Sequence, residues 1–317
     1  MIKILKTYQG ALIQWLGLFL VITVFGILSG GNLFSSYNLN SMLETATPLA
    51  LICCGMTFIF AHGGMDISSG AVVAIASLTA VLAINNTHSL AAGVVASVIT
   101  AVVCYTVNAV VTNKFGLMAV ITSLAIMFSA RGFVAYICQK TPNDSISVAT
   151  VSLKLFKKDH VFMVVIMAVF LIILSVVFYL TELGKGARAV GDNEVAARQN
   201  GVTVGLTKLL CYVIAGACVG IAAVFKLGAV GKVQSSTGTG LEMDVLVAVV
   251  LGGMSIAGGR NTRLSSAMVG VFTYVILLKG LTILGMNPNM VALLKAFVFL
   301  AVIFITSSRT KTKVMPK

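Results

Sequence analysis

Long apolar runs separated by short polar intervals fill this chain from residue 11 to residue 306. The runs are continuous rather than alternating, so they read as helices and exclude the period-two pattern of a membrane barrel. A bilayer-crossing helix needs roughly 17 to 25 mainly apolar residues. The intervals 11–30, 46–61, 69–86, 89–111, 117–138, 161–181, 207–230, 243–257, 264–284 and 290–306 meet or approach that length. The pattern predicts an all-α fold, a polytopic transmembrane helical bundle of about ten spans forming one domain over 1–317.

Composition agrees. Of 317 residues, 58% are apolar and 10% charged, with a mean hydropathy of +1.04, whereas soluble domains carry roughly 25% charged residues. The net charge of +13 is spread thinly between the apolar runs, which points to membrane topology, with lipid and not nucleic acid as the partner. Lys114, Lys185, Arg188, Arg198, Arg260, Arg263 and the basic tail share one side if both termini are cytoplasmic. The loop 139–160, external in that arrangement, runs against the rule through Lys140, Lys154, Lys157 and Lys158. The apolar run 11–28 behind Lys3 and Lys6 is longer than a signal-peptide core and is expected to be a retained first helix. All six cysteines fall in apolar runs without CxxC spacing, as buried reduced fillers do.

Two apolar runs are cut by similar small-residue breaks, HGGMDISSG (62–70) and GGMSIAGG (252–259). The apolar stretches before them, 48–61 and 245–256, look too short to cross the bilayer. Glycine-interrupted short segments are the best sequence pointer to a translocation path, because irregular backbone at membrane depth must face protein or a watery cavity. Gly63, Gly64, Asp66, Ser68, Gly252, Gly253 and Ser255 are therefore the pathway candidates. Asp66 has two readings: a carboxylate exposed to the path, or a cap on the helix that follows, near the cytoplasmic surface. Asn108, Arg131, Lys226, Lys279 and Lys295, polar residues inside apolar runs, are expected to snorkel or to bond between helices. Gly216 and Gly220 form a GxxxG packing seam.

The connection 182–206 (ELGKGARAVGDNEVAARQNGVTVGL) predicts a short surface helix, with Asp192 or Asn193 as N-cap, Ala196 and Ala197 inside it, and Gly201 as its stop. Glu194 and Arg198 lie four apart on it, and the adjacent alanines suggest a smooth face for another protein. An ordinary capped loop helix fits the same residues. A catalytic reading lacks support: Ser255 has no base near it, since His62, His88 and His160 all precede it at predicted interfaces. No HExxH or P-loop sequence occurs. A single-chain ion-coupled carrier remains the alternative, although the acidic residues Glu44, Asp66, Glu242 and Asp244 sit near predicted helix ends.

Three stretches, GGMDISSGAVVAIASL (63–78), ARAVGDNEVAARQNGV (187–202) and VLGGMSIAGGR (250–260), with LKGLTILGMNP (278–288) and LLKAFVFLAVIF (293–304), resemble the membrane permease subunit of ribose-type bacterial ABC sugar importers. The resemblance implies a type II importer-like fold in the bacterial cytoplasmic (inner) membrane. It also implies a second permease copy or paralogue, cytoplasmic ABC ATPases that bind the ATP and Mg, and an extracytoplasmic sugar-binding protein. It maps the ATPase-docking role onto Gly191, Asn193, Glu194, Ala196, Ala197, Arg198 and Gly201, and it implies no bond chemistry and no cofactor in this chain. Asn261, Arg263 and Ser265 depart from the small residues expected there, which puts close packing after Gly259 in question.

Overall fold

The computed structural model describes residues 2–300 except 142, 157–158, 255–257, 288 and 298–299. The helices are α1 (Ile2–Leu28), α2 (Ser36–Ala61), α3 (Ser69–Thr87), α4 (Leu90–Phe115), α5 (Ala119–Gln139), α6 (His160–Leu180), α7 (Glu182–Asp192), α8 (Glu194–Gln199), α9 (Val204–Val230), α10 (Leu241–Leu251) and α11 (Leu264–Ile283). Two three-residue strands, β1 (Ser145–Ser147) and β2 (Lys232–Gln234), pair antiparallel with Ser145 opposite Gln234. Among the described residues, seven helices, α2 to α6 with α9 and α11, are long and apolar enough to cross a membrane. Of the other expected spans, α1 keeps an apolar portion at 14–28, α10 has only 11 residues, and 290–306 lies partly outside the described residues.

One expectation is corrected. The stretch before the first break is not a short segment: α2 runs 26 residues from Ser36 and spans about 39 Å at 1.5 Å per residue. Its first third is polar, which hid it from a hydropathy window. Ser35 starts it by accepting the Asn38 N–H at 3.4 Å. The stretch before the second break is short as expected, since the 11 residues of α10 reach only about 16 Å.

Burial orders the bundle. In its most apolar window α2 is 83% buried, against 22% for α4 and α5 and 17% for α6, so α2 is the central helix and α4 to α6 turn apolar faces outward. Close approach of α9 to α4 rests on the GxxxG pair. A Cβ on Gly216 would lie 2.9 Å from the Val102 Cα, and one on Gly220 would lie 2.6 Å from the Val98 Cα. Ser97 fastens the seam by donating to the Gly220 carbonyl at 2.7 Å.

Polar side chains inside the bundle bond between helices. Asn108 donates to Asp66 at 2.8 Å, Lys279 to Ser41 at 3.0 Å, Lys295 to Asp244 at 2.9 Å, and Arg131 pairs with Glu242 at 2.9 Å. Packing after Gly259 is also close, because α11 turns Ser266 and Gly270 toward α10 and leaves Ser265 exposed, while Asn261, before the helix, is exposed as well.

Gly220→Leu is expected to lower the thermal midpoint of the detergent-solubilised protein, by overpacking worth about 1–3 kcal/mol. Gly132→Ala, where an added Cβ meets nothing within 4 Å, should leave it unchanged or slightly raised. Equal midpoints for the two variants would remove the seam from the account.

Candidate coupling site

The two breaks begin with the same helix stop. In the first, Gly64 N–H reaches back to the Ile59 carbonyl at 3.0 Å and Gly63 N–H to Phe60 at 3.0 Å, with Gly63 at φ +80°. In the second, Met254 N–H reaches Val249 at 3.2 Å and Gly253 N–H reaches Val250 at 2.8 Å, with Gly253 at φ +70°. Both are Schellman-type ends that need a left-handed residue. The equivalence is therefore Gly63 with Gly253, whereas lining up the shared Gly-Gly-Met of 63–65 and 252–254 pairs Gly63 with Gly252. Gly252 is a glycine for another reason: a Cβ there would collide with the Ser266 carbonyl of α11.

After its stop the first break climbs back into the bundle. Tyr105 of α4 lies within hydrogen-bond range of both Asp66 (3.4 Å) and the Met56 sulfur (3.8 Å). Asp66 thus lies level with Met56, about 8 Å along α2 from its end. It is buried, and its carboxylate accepts from the Ser68 N–H (2.8 Å), the Ser68 hydroxyl (3.0 Å), Tyr105 and Asn108. Asp66 is therefore not the N-cap of α3, which is Ser68 with no side-chain capping bond; it braces the turn before that helix, with both oxygens used inside the protein.

Among the pathway candidates, Gly64, Asp66, Ser68 and Gly252 are buried, and Gly63 and Gly253 are exposed. Ser255 lies outside the described residues.

The breaks touch one another, and the end of α7 touches both. Gly259 N–H donates to the Ala61 carbonyl at 2.9 Å, and a Cβ on Gly258 would sit 2.5 Å from the Phe60 carbonyl oxygen. A Cβ on Gly191 would collide with the Ala61 carbonyl and lie 2.5 Å from the Gly259 nitrogen. Asp192 Oδ1 accepts the Arg260 N–H at 2.9 Å. All three glycine-bearing motifs thus meet at one backbone junction.

Around that junction, 182–206 forms two helices where the sequence suggested one. Its glycines hid α7, yet Gly184 is required because a Cβ there would collide with the Phe178 carbonyl. The spacing of Leu183, Ala187 and Val190 was the available signal. Arg188 ties α7 to α6 by donating to the Gly184 and Phe178 carbonyls at 3.1 and 3.4 Å.

Asn193 caps α8 by accepting the Ala196 N–H at 3.1 Å, and Gly201 at φ +84° ends the turn that follows it. Glu194 bonds Lys208 of α9 at 2.8 Å and Arg198 at 3.3 Å, and these partners, Lys208 first, hold its carboxyl below the usual range. Ala197 is not on an outer face: it is buried with Val190 and Val204. The outer face of α8 carries Val195, 66% exposed, and Arg198. Beside it lies a groove of about 530 Å³ lined by Lys185, Gly201, Thr203 and Leu206 among others.

Residues 38–305 match the family described as branched-chain amino acid transport system / permease component. The galactofuranose transporter permease protein YtfT of Escherichia coli (strain K12) is 30% identical over 288 residues, covering 89% of this chain and 83% of the relative. The ribose import permease protein RbsC of the same organism is 26% identical over 88% of each chain. Its L-arabinose transport system permease protein AraH is 29% identical over 89% of this chain and 86% of the relative. No solved structure matches the chain. A bundle of membrane-length helices, with its broken segments gathered on one surface helix pair, belongs by this match to the permease components of membrane transport systems.

Proposed function

We propose that this permease component is the membrane subunit of an ATP-driven importer of a monosaccharide in the bacterial cytoplasmic membrane. In this reading a separate cytoplasmic ATPase, which binds the ATP and Mg, docks on α7 and α8. A second permease subunit completes the path, and an extracytoplasmic binding protein delivers the solute. The observation that carries the reading is the junction itself: the end of α7 holds both breaks through Asp192 and Gly191, so force on the surface pair reaches two membrane segments at once. Sugar is favoured over amino acid as the solute by the relatives named for galactofuranose, ribose and L-arabinose. Ion coupling through Asp66 is disfavoured, because its oxygens are occupied by Ser68, Tyr105 and Asn108.

The docking test uses proteoliposomes holding this chain with its ATPase and binding protein. Val195→Asp and Arg198→Glu, on the exposed face of α8, are expected to abolish ATPase co-purification and ATP-dependent uptake while membrane insertion stays normal. Ala197→Glu is a poorer probe, since it buries a charge under α8. Uptake that survives both exposed substitutions, or that follows an ion gradient without the ATPase, would overturn the proposal.

Asp192→Ala tests transmission. It removes the acceptor of the Arg260 N–H and leaves the outer face of α8 intact. A hydrogen bond to a charged group contributes about 1.5–3 kcal/mol, so uptake per ATP hydrolysed should fall roughly tenfold or more with the ATPase still bound. Unchanged coupling would show that the junction transmits nothing.

A further inference from the structure

A polar cavity of about 240 Å³ lies at the end of the bundle away from α7 and α8. Lys226, on its wall, is 18 residues after Lys208 along α9, about 27 Å at helical rise. Its other walls are α3, at Val73 and Ser77, the segment between α9 and α10, and the start of α10 at Leu241 and Asp244.

That segment is re-entrant. β2 pairs with β1, whose Ser147 carbonyl accepts from Asn85 near the end of α3. By Gly238 the chain has fallen back to the start of α3, where a Cβ on either Gly238 or Gly70 would collide with the carbonyl of the other. The contact of these two glycines closes the floor, and α10 begins there, part-way through the bundle. Glu242, in its first turn, is neutralised by Arg131 at 2.9 Å.

Three charged groups line the cavity: Lys232 is exposed, and Lys226 and Asp244, further in along α9 and α10, have bonding capacity left. Asp244 uses Oδ1 for both Tyr274 and Lys295, so Oδ2 takes no bond among the described residues. The Lys226 ammonium likewise makes no hydrogen bond or ion pair among them. Ser77 donates to the Ala223 carbonyl at 3.1 Å, which leaves its oxygen able to accept. A carboxylate oxygen, an ammonium and a hydroxyl on one small cavity suit a neutral, hydroxyl-rich solute, with the carboxylate accepting from one hydroxyl while the ammonium donates to another. The volume equals about eight waters at ~30 Å³ each, below the range of drug-sized pockets and suited to one monosaccharide.

We propose that this cavity is a transit subsite for a neutral monosaccharide, with Lys226 and Asp244 as its binding residues and the Gly70–Gly238 contact as its inner floor. The proposal rests on the importer reading and adds the place where the sugar pauses inside this subunit.

The test is read without ATP turnover, so an importer reading that fails leaves it decidable. In the assembled complex in liposomes, Ser236→Cys, on the cavity wall, is labelled with a membrane-impermeant maleimide in the presence of D-ribose, L-arabinose, D-galactose or gluconate. Labelling should proceed from the face opposite the ATPase and be slowed by at least one neutral sugar but not by gluconate. Adding Lys226→Gln or Asp244→Asn should raise the protecting sugar concentration about tenfold or more, the loss expected for one hydrogen bond to a charged group. The charge-conserving Lys226→Arg should retain most of the protection, separating recognition from misfolding. Labelling only from the ATPase face, protection by gluconate but no neutral sugar, no protection at all, or protection indifferent to both neutral substitutions would each overturn the subsite.

Discussion

A helix that stops leaves peptide groups without intrahelical partners, and this constraint orders the rest of the structure. Here two helices stop, and their loose ends are joined to each other. The Gly259 N–H takes the Ala61 carbonyl left free at the end of α2, and the Arg260 N–H takes the Asp192 carboxylate at the end of α7. Glycine at 191, 258 and 259 follows from the closeness this pairing demands, because a Cβ at each would strike backbone or the Asp192 side chain. Contacts of this kind leave no slack. A displacement of α7 cannot be absorbed by rotamer changes at side chains that do not exist, so it passes to both breaks.

The same constraint explains the carboxylates. α3 and α10 both start inside the bundle, and a helix N-terminus carries roughly half a positive charge. Asp66 lies at the first of these ends, bonded to the Ser68 N–H, and Glu242 at the second, bonded to Arg131. Isolated, either carboxylate would be costly at this depth. Placed against a helix start and given several donors, each is compensated. The irregular backbone and these two acids, Asp66 buried and Glu242 partly so, are therefore one solution.

Much of this was legible in the sequence, and the failures share a cause. Apolar runs located the long helices because hydropathy is a one-dimensional signal. The interhelical role of Asn108, Arg131, Lys279 and Lys295 was also legible as a class, since a polar side chain in hydrocarbon must find a partner. Which partner was not legible: Arg131 and Glu242 are 111 residues apart. The polar start of α2 and the glycines of α7 concealed helices that packing and close approach sustain against local preference. The burial of Ala197 was hidden because a six-residue helix offers too few positions to show which face turns inward. The match of the two breaks was visible, but the one-residue offset between them depends on which glycine has positive φ, and a sequence does not record φ.

α10 differs from its neighbours in what keeps it in place. At about 16 Å it is too short to be fixed by the thickness of the bilayer. Its first turn is held by side-chain bonds from other elements, Glu242 to Arg131 of α5 and Asp244 to Tyr274 of α11 and to Lys295. Its far end is held by the Gly252 and Gly270 approach to α11 and, through the second break, by the junction with α7. Polar bonds of that kind can be exchanged for bonds to a solute at little net cost. α10 is nonetheless packed along its length, with Leu241 and every residue from Val245 to Val250 buried, so it links the surface helices at one end and the polar cavity at the other as a packed unit.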